Sequence, residues 1–519
     1  MTMAKPPQTE FLERLGFEAN PFQFMNADDE PRLNQYFVDP PYFASVYGDP
    51  SWPAPCMVFA PRGAGKSAQR KMVEMRAPTD TVLCITYDSF RNPTRRRLVD
   101  MTLADHLLNV ARVAVVGLLT WIGERRRVVR ALDDNERQAL RALALGLLSA
   151  VTQAELRSAL NSLRNLSTTA KELWNEHGWA VNAVLSSINI AAGGPGGVLP
   201  QADVREGMEE EAGEHLDAIG RLARKVGLQA IYVLVDRVDE TQETTADHAA
   251  AYQMIAPLMH ELRVLEMSPF AFKFFLPDYI LPFFQQAGGR SDRIRDYQTQ
   301  WTNTELGRMM TRRLAAHSEG RVDSLEALLT VPRGERPALV QLTIHFAQKS
   351  PRDLVRIWGR AVDEQLRFDA PSRGISQQAV VGGIDRFCRE RAEELATAST
   401  VRDLKRVARV DFTVSEVASD VFHVSTNAAR AKIQGWENRG IVKHIGDLPA
   451  RRGRPLHHYG VVDVRVARAM FPDVGLAQFF RAKARLCPNC ESWVLWDFDA
   501  PGEREEACVE CGIPLVAPE

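Results

Sequence analysis

An apolar run ends in a glycine-rich turn that carries a lysine and a hydroxyl group. Residues 57–67 read Met-Val-Phe-Ala-Pro-Arg-Gly-Ala-Gly-Lys-Ser, with an alanine where a first glycine is usual. Small residues let backbone N–H groups turn inward around phosphate oxygens at the start of a helix. The lysine can then reach the β- and γ-phosphates, and the serine hydroxyl can bind Mg²⁺. We therefore predict an ATP site formed by Arg62, Gly63, Ala64, Gly65, Lys66, Ser67 and Ala68.

A second apolar run, residues 231–235, is followed by three carboxylates, Asp236, Asp239 and Glu240. Ligands of open α/β sheets bind at the carboxyl ends of the strands, so these acids are expected beside the phosphate site. We predict that Asp236 binds Mg²⁺ or one of its waters, and that Glu240 polarises the attacking water, with Asp239 as the alternative. Acids after a strand are also common loop residues, and their pairing with the glycine-rich turn favours the catalytic role.

These side chains require strands that end at one edge of a sheet. Continuous apolar runs are typical of strands buried on both faces, as in a parallel sheet covered by helices. Such runs occupy residues 56–59, 81–87, 231–235 and 270–276. About 140 residues separate the second run from the third, too many for one crossover connection, so a helical insertion is expected there. It carries a leucine stripe for helix packing or a partner surface, and a glycine loop at residues 193–197.

The most basic part of the chain has the pattern of a DNA-binding module. Residues 401–490 hold 16 Lys and Arg against 8 Asp and Glu, whereas the whole chain has a net charge of −2. Residues 412–470 read as helix, turn, helix, strand, basic loop and strand, the order of a winged helix-turn-helix. A protein-interaction module is the alternative. The residues predicted to bind double-stranded DNA are Asn427, Arg430 and Lys432 on the second helix and Arg451, Arg452 and Arg454 in the loop.

Two Cys-x-x-Cys pairs lie near the C-terminus, with 17 residues between them. This spacing is typical of a zinc site with four cysteine ligands, Cys487, Cys490, Cys508 and Cys511. Four thiolates close a tetrahedral shell, so the predicted Zn²⁺ is structural rather than catalytic. Disulfides are the alternative and are disfavoured in a reducing cytosol. The other cysteines are predicted to be core residues.

With these motifs the sequence resembles the AAA+ ATPases of the origin-recognition initiator type, and equally the related STAND and prokaryotic defence-associated P-loop ATPases. The resemblance covers about residues 18–470. It implies that residues 20–22 and 36–38 lie near the adenine and that a helical lid starts at Trp301. It also implies a sensor-2 element at residues 350–354 that brings Arg352 towards the γ-phosphate. A surface ion pair is the alternative for Arg352.

Two features of the resemblance stay open. The fourth apolar run ends in Pro277 and Asp278, without the Asn or Thr that many AAA+ proteins place there, so sensor 1 has no clear equivalent. Arg290, Arg293 and Arg295 either supply an arginine finger to a neighbouring subunit or are ordinary surface arginines.

The expected fold is an α/β P-loop NTPase core with a large helical insertion, an all-α lid, a winged-helix domain and a C-terminal zinc ribbon. The expected segments are residues 1–50 leading into the ATPase, 51–100 and 226–300 forming its core, 101–225 the insertion, 301–398 the lid, 399–475 the winged helix-turn-helix and 476–519 the ribbon. The N-terminus has no basic start followed by an apolar run, and no segment makes a convincing span. A cytoplasmic protein without a membrane partner is therefore expected.

The resemblance implies an ATPase that couples nucleotide state to DNA binding and homo-oligomer assembly, in initiator-like regulation or antiviral defence. Its cofactors would be ATP, Mg²⁺ and structural Zn²⁺, and an effector protein is a further partner. The alternative is a nucleotide-gated scaffold or a transcription regulator that hydrolyses little and recruits protein partners. The unclear sensor 1 favours the alternative, whereas Glu240 favours hydrolysis.

Overall fold

The computed structural model describes residues 6–79, 81–91, 97–190, 205–245, 247–448, 455–498, 507–508 and 511–515, with side chains from residue 211 onwards in the helix that begins at Arg205. The predicted glycine loop at 193–197 lies outside these residues. The chain forms two compact units. One comprises Asn26–Trp301, and the other combines Met1–Met25 with Thr302–Glu519. The finer division into seven segments stays a prediction.

The unit of residues 26–301 is built on a five-stranded parallel sheet. Its strands are β1 (Cys56–Ala60), β2 (Val82–Tyr87), β3 (Ala230–Val235), β4 (Phe270–Pro277) and β5 (Arg295–Gln298). Their order across the sheet is β2-β3-β4-β1-β5, and each adjacent pair is parallel. The predicted parallel α/β sheet is confirmed, and it fits a P-loop core. The short polar edge strand β5 was not predicted.

Helices pack on both faces of this sheet. Helix α1 (Pro7–Arg14) precedes this unit in the chain and belongs to the other one. The helices of this unit are α2 (Leu33–Tyr36), α3 (Phe43–Tyr47), α4 (Lys66–Arg76), α5 (Leu103–Glu124), α6 (Asp134–Leu148), α7 (Gln153–Asn161), α8 (Thr168–Glu176), α9 (Val181–Ser187), α10 (Arg205–Lys225), α11 (His248–His260), α12 (Leu262–Leu265) and α13 (Ile280–Gln286). Helix α4 packs on β1 and β4, while α5 packs on β2. Helices α5 to α10 form the predicted helical insertion between β2 and β3.

Helix α5 lies at the centre of the insertion. It starts with a capping box, in which Thr102 and Asp105 satisfy each other's backbone N–H groups. A side chain at Gly117 would come within 2.9 Å of Leu83 in β2, so this glycine allows the helix to approach the sheet closely. Among the described residues α5 alone is long and apolar enough to cross a membrane, and 78% of its apolar window is buried within the protein. The bent pair α6 and α7 meets the same test only when joined.

Two buried polar side chains are accommodated by specific hydrogen bonds. The Nε2–H of His106 donates to the Met254 carbonyl at 2.8 Å, so its Nδ1 accepts from the Tyr87 hydroxyl at 2.8 Å. Burial lowers the pKa of His106 from 6.5 to about 4. Lys273, in the middle of β4, donates to the Val46 carbonyl at 2.8 Å, and its ammonium lies 4.5 Å above the Tyr232 ring. Desolvation lowers the pKa of this lysine.

The second unit is mainly helical. Besides α1 it contains α14 (Asn303–Ser318), α15 (Arg336–Phe346), α16 (Pro351–Asp369), α17 (Gln377–Leu395), α18 (Ala398–Val407), α19 (Val414–Glu416), α20 (Thr426–Glu437), α21 (Val464–Met470) and α22 (Leu476–Ala482). Its strands are β6 (Asp411–Thr413), β7 (Val442–Leu448), β8 (Leu456–Val461), β9 (Ala484–Leu486) and β10 (Trp493–Leu495). They form an antiparallel sheet in the order β6-β8-β7 and a separate β9–β10 hairpin.

Ion pairs join α21 to the helices α16 and α17, and the pair between Arg465 and Asp353 is buried on both sides. Arg465 donates to Asp353 at 2.6 Å, and Arg468 donates to Asp385 at 2.8 Å. Breaking such a buried pair by removing one partner typically costs about 3–5 kcal/mol. The helices predicted as the lid and the segment that follows β8 are therefore held together within this unit.

Candidate functional site

The glycine-rich turn joins β1 to α4. Gly63 and Gly65 have φ angles of 87° and 94°, which a side chain would make unfavourable. Helix α4 begins at Lys66, so its first-turn N–H groups, which have no intrahelical acceptors, face the turn. The Nζ of Lys66 donates to the Ala60 carbonyl at 2.9 Å, and the Trp301 indole N–H donates to the Ala64 carbonyl at 2.9 Å. The turn thus places two glycines with positive φ directly before the N-terminus of α4.

Asp236 directly follows β3 and is buried. One carboxylate oxygen accepts from the backbone N–H of Arg237 at 2.9 Å, and the other accepts from Nε of Arg70 at 2.8 Å. Arg70 lies on α4, four residues after Lys66, and is fully buried; it also pairs with Glu74 at 2.5 Å and with Asp28. The contact places the predicted Mg²⁺ ligand against the helix that the glycine-rich turn begins. Each carboxylate oxygen keeps a further lone pair for a metal-bound water.

Asp28 connects this site with the helical insertion. Its carboxylate accepts from Arg70, from Arg237 at 2.6 Å, and from Arg164, which lies between α7 and α8. Arg164 also donates to Asp88 at 3.0 Å. Burial opposes ionisation of Asp28, but Arg70 and Arg164 outweigh it and hold the pKa of the carboxyl below its usual 3.8. Sequence reasoning missed Asp28, Arg70 and Arg164, because an ion-pair network between distant segments leaves no local pattern.

The two candidate general bases differ in environment. Glu240 is exposed, and its carboxylate lies 3.6 Å from Nε of Arg237, which has a positive φ of 60°. Asp239 acts electrostatically on Tyr279, whose pKa is raised first by burial and then by this carboxylate, while Arg62 opposes the rise. Asp239, Tyr279 and the predicted nucleotide residue Arg62 therefore lie close together. The structure brings Arg62, Asp236 and Asp239 to the same end of the sheet.

The other residues predicted for the ATPase lie on α16, near β5 and at the end of β4. Arg352 lies in the first turn of α16, in the unit of residues 302–519, and stays a predicted sensor. Arg290 makes a two-pronged ion pair with Asp292, with both distances 2.7 Å, and Arg293 pairs with Glu266 at 2.8 Å. Asp278 follows β4 and donates its backbone N–H to the Ala60 carbonyl at 3.2 Å, so a carboxylate stands beside the glycine-rich turn where sensor 1 was sought.

The four predicted zinc ligands come together. The sulfur atoms of Cys487 and Cys511 are 3.5 Å apart, those of Cys490 and Cys508 are 3.6 Å apart, and all four lie within 4.8 Å of one another. These separations exceed a disulfide bond of about 2.05 Å. They match roughly 3.8 Å between sulfurs around a tetrahedral ion with Zn–S bonds of about 2.3 Å. Hydrogen bonds from Ser492 lower the pKa of the Cys490 thiol to about 6, which favours the thiolate that zinc binds.

The two cysteine pairs repeat one backbone motif. The N–H of Cys487 donates to the Ser492 carbonyl at 2.9 Å, and the N–H of Cys508 donates to the Ile513 carbonyl at 2.8 Å, five residues on in both cases. The residue after the second cysteine is left-handed in each pair, with φ 56° at Glu491 and 72° at Gly512. The donor set and the repeated turns fit a closed tetrathiolate site.

We call the β9–β10 hairpin, which carries Cys487 and Cys490 between its strands, the cysteine hairpin. It packs on other parts of its own unit. The Trp493 ring stacks on Phe480 with centroids 5.5 Å apart, and its indole N–H donates to the His345 carbonyl at 3.2 Å. Buried Asp497 accepts from Lys483 at 2.7 Å and from Arg409 at 3.1 Å. These contacts pack the hairpin on its neighbours, so it is held by side-chain interactions as well as by the covalent chain.

The predicted recognition helix is α20. Asn427 and Arg430 lie together on its exposed side, and Arg430 donates to the Asn427 side-chain oxygen at 3.3 Å. Lys432 points elsewhere, since it is half-buried, pairs with Asp403 of α18 at 2.5 Å and lies 4.8 Å from the centre of the Phe422 ring. Gln434 and Asn438, which were not among the predicted residues, are also exposed, and Gln434 donates to the Asn438 side-chain oxygen at 3.0 Å. Arg451, Arg452 and Arg454 lie outside the described residues.

No protein-family model and no curated protein matches the chain. Among solved structures, the Aeropyrum pernix ORC1 protein in complex with DNA is similar with a TM-score of 0.39 and 12% identity, over 87% of this chain and 97% of that chain. The Aeropyrum pernix ORC2 protein, in ADPNP-ADP complexes, has a TM-score of 0.38 and 10% identity, over 86% of this chain and 98% of that chain. Similarity at this level carries no conclusion about this chain's function.

Proposed function

We propose that this protein is an ATP-binding, ATP-hydrolysing P-loop protein of AAA+ or STAND type, which couples its nucleotide state to DNA binding. The observation that carries the proposal is the contact between Asp236 and α4, which sets a buried carboxylate against the helix begun by Lys66. Lys66, Ser67 and the turn amides would hold the triphosphate, and Asp236 would hold the Mg²⁺ ion that neutralises phosphate charge. Glu240, or Asp239, would orient and deprotonate the attacking water.

The test is ATP turnover by the purified chain, with and without double-stranded DNA. Lys66→Ala should abolish nucleotide binding, and Glu240→Gln should keep binding but lose phosphate release. Lys225→Ala is a matched control, because this exposed lysine of the same unit lies on the insertion and pairs with Glu136. Unchanged turnover in Lys66→Ala would refute the proposal.

A nucleotide-gated scaffold is the second candidate. It is favoured by the ion pairs at the site, since Asp236 is held by Arg70 and Glu240 lies beside Arg237. A guanidinium beside a carboxylate competes with the metal ion and the attacking water for the carboxylate oxygens, which would slow hydrolysis. Tight ATP binding with turnover that Glu240→Gln leaves unaltered would establish this candidate.

We propose that the predicted winged helix-turn-helix of residues 399–475 binds double-stranded DNA. The order α18, β6, α19, α20, β7, β8 and the antiparallel sheet support this assignment. Asn427, Arg430, Gln434 and Asn438 would face the major groove, and Arg451, Arg452 and Arg454 would neutralise phosphates. Affinity for a duplex that falls steeply with salt concentration tests the proposal, and salt-independent binding to a protein partner would support an interaction module.

We further propose a structural zinc ion on Cys487, Cys490, Cys508 and Cys511, and ATP-dependent assembly of a cytoplasmic homo-oligomer. Arg290, Arg293 and Arg295 remain the candidates for an arginine finger, and of these Arg295 lies on the edge strand β5. Light scattering with and without ATP tests assembly.

Initiator-like regulation and antiviral defence, the latter with an effector protein, are the two settings that the sequence resemblance suggests. Phage challenge of cells with and without the chain distinguishes them.

A further inference from the structure

A second group of metal-ligand side chains lies on the β7–β8 hairpin. His444 Nε2 is 3.0 Å from Oδ1 of Asp447, and His457 Nδ1 is 2.8 Å from the same oxygen. The three ligand atoms lie within 4.8 Å of one another, and the three side chains are partly exposed. Two imidazoles therefore converge on one carboxylate at the surface. This group is separate from the four clustered cysteines.

A β-bulge produces this convergence. Asp447 and His457 are direct cross-strand partners, so their side chains share a face of the hairpin. His444 is three residues before Asp447, and in a regular strand it would lie on the opposite face. The register shifts between His444 and Gly446, where Gly446 has a φ of 142°, and this extra residue brings His444 to the shared face. Bulges commonly re-aim a side chain next to a functional site.

We propose that His444, Asp447 and His457 form a binding site for a divalent transition-metal ion of the Zn²⁺ class. Imidazole nitrogen and carboxylate oxygen are ligands that Zn²⁺ accepts at about 2.0–2.2 Å, and ligand atoms around a tetrahedral ion with such bonds are spaced about 3.4 Å apart. The observed 2.8 and 3.0 Å separations are roughly 0.5 Å shorter, so small shifts of these exposed side chains would make room for the ion. The ion would replace the protons that the two imidazoles share with the carboxylate. Three protein ligands leave a position open for water or another ligand, unlike the closed tetrathiolate site.

The experiment uses the full chain, purified with its cysteine site loaded with Zn²⁺. Further Zn²⁺ is titrated by calorimetry, and bound metal is counted by mass spectrometry after dialysis. Wild type is expected to bind a second ion. His444→Asn and His457→Asn should each weaken that step by more than about 10-fold, since loss of even an outer partner of a metal ligand costs about 10–100-fold. His423→Asn is the control, because His423 is an exposed histidine of the same unit outside the group.

Thermal melts of the variants check that the hairpin stays folded, because Asn can still hydrogen-bond Asp447. Absence of a second ion in wild type would overturn the proposal and leave the group as a hydrogen-bonded surface cluster. Retention of the second ion by His457→Asn, or its loss in the control, would overturn it as well.

Discussion

Arg70→Met tests whether the buried charge network holds the carboxylate end of β3 in place. Arg70 is fully buried and contacts three acids, of which Glu74 and Asp236 are themselves buried. The substitution keeps most of the side-chain volume but leaves these carboxylates without their guanidinium. Removing one member of a buried ion pair typically costs about 3–5 kcal/mol. We expect the unit of residues 26–301 to lose about this much free energy of unfolding.

Hydrogen exchange measured peptide by peptide is the appropriate assay, because the two units need not unfold together. A loss of about 3 kcal/mol corresponds to roughly 150-fold faster exchange in peptides that cover β3 and α4, at about 1.4 kcal/mol per tenfold change. Adding Glu74→Gln should restore part of the protection, since it removes one of the uncompensated charges.

Arg76→Met is the matched control. Arg76 lies on the same helix, but its pair with Asp39 at 2.9 Å is exposed, and such surface pairs contribute about 0–1 kcal/mol. The reasoning would be refuted if the hydrogen-exchange rate of the β3 peptides rose by less than about threefold in Arg70→Met. It would also be refuted if that rate rose equally in Arg70→Met and Arg76→Met.

Three other predictions address the remaining features. His106 has a folded pKa of about 4 against 6.5 unfolded, so the unfolded state binds more protons between these values and the 26–301 unit should lose about 3 kcal/mol as pH falls from 6.5 to 4. In His106→Gln, urea titrations at a series of pH values should lose this slope, and a slope equal to wild type would contradict the assignment. Arg430→Ala should weaken duplex binding by about 1–3 kcal/mol in fluorescence anisotropy, whereas Lys432→Ala should act mainly on stability, through Asp403; the reverse order would exclude α20 as the reading helix. Chelation of zinc, or Cys508→Ser, should expose β9 and β10 to rapid hydrogen exchange, and full protection without metal would exclude a structural ion.

The sequence predicted those features that depend on local pattern. Continuous apolar runs located β1 to β4, and the glycine and cysteine spacings located the turn at Gly63 and the four clustered thiols. The edge strand β5 was missed because its Arg-Asp-Tyr-Gln sequence is polar and partly exposed, whereas the other edge strand, β2, is apolar and buried throughout.

Other features depend on contacts between distant residues. The sequence showed that Lys273 interrupts an apolar strand, but not that the Val46 carbonyl and the Tyr232 ring solvate its ammonium. Likewise, Lys432 lies only two residues from the exposed Arg430 in sequence, yet its partner Asp403 is on another helix, α18. Charge alone therefore could not separate an exposed basic residue from one whose ion pair stabilises the fold.

The anchoring of the cysteine hairpin matters for anyone who shortens this protein. Deleting the residues after Ala482 would strip Phe480 of its stacked indole and leave Arg409 without the Asp497 carboxylate. A truncated version would expose the Phe480 ring and leave Arg409 with Glu416 alone as its acidic partner, and the resulting loss of stability would be mistaken for a need for zinc. Single cysteine substitutions, which leave the packing side chains in the chain, separate the two causes.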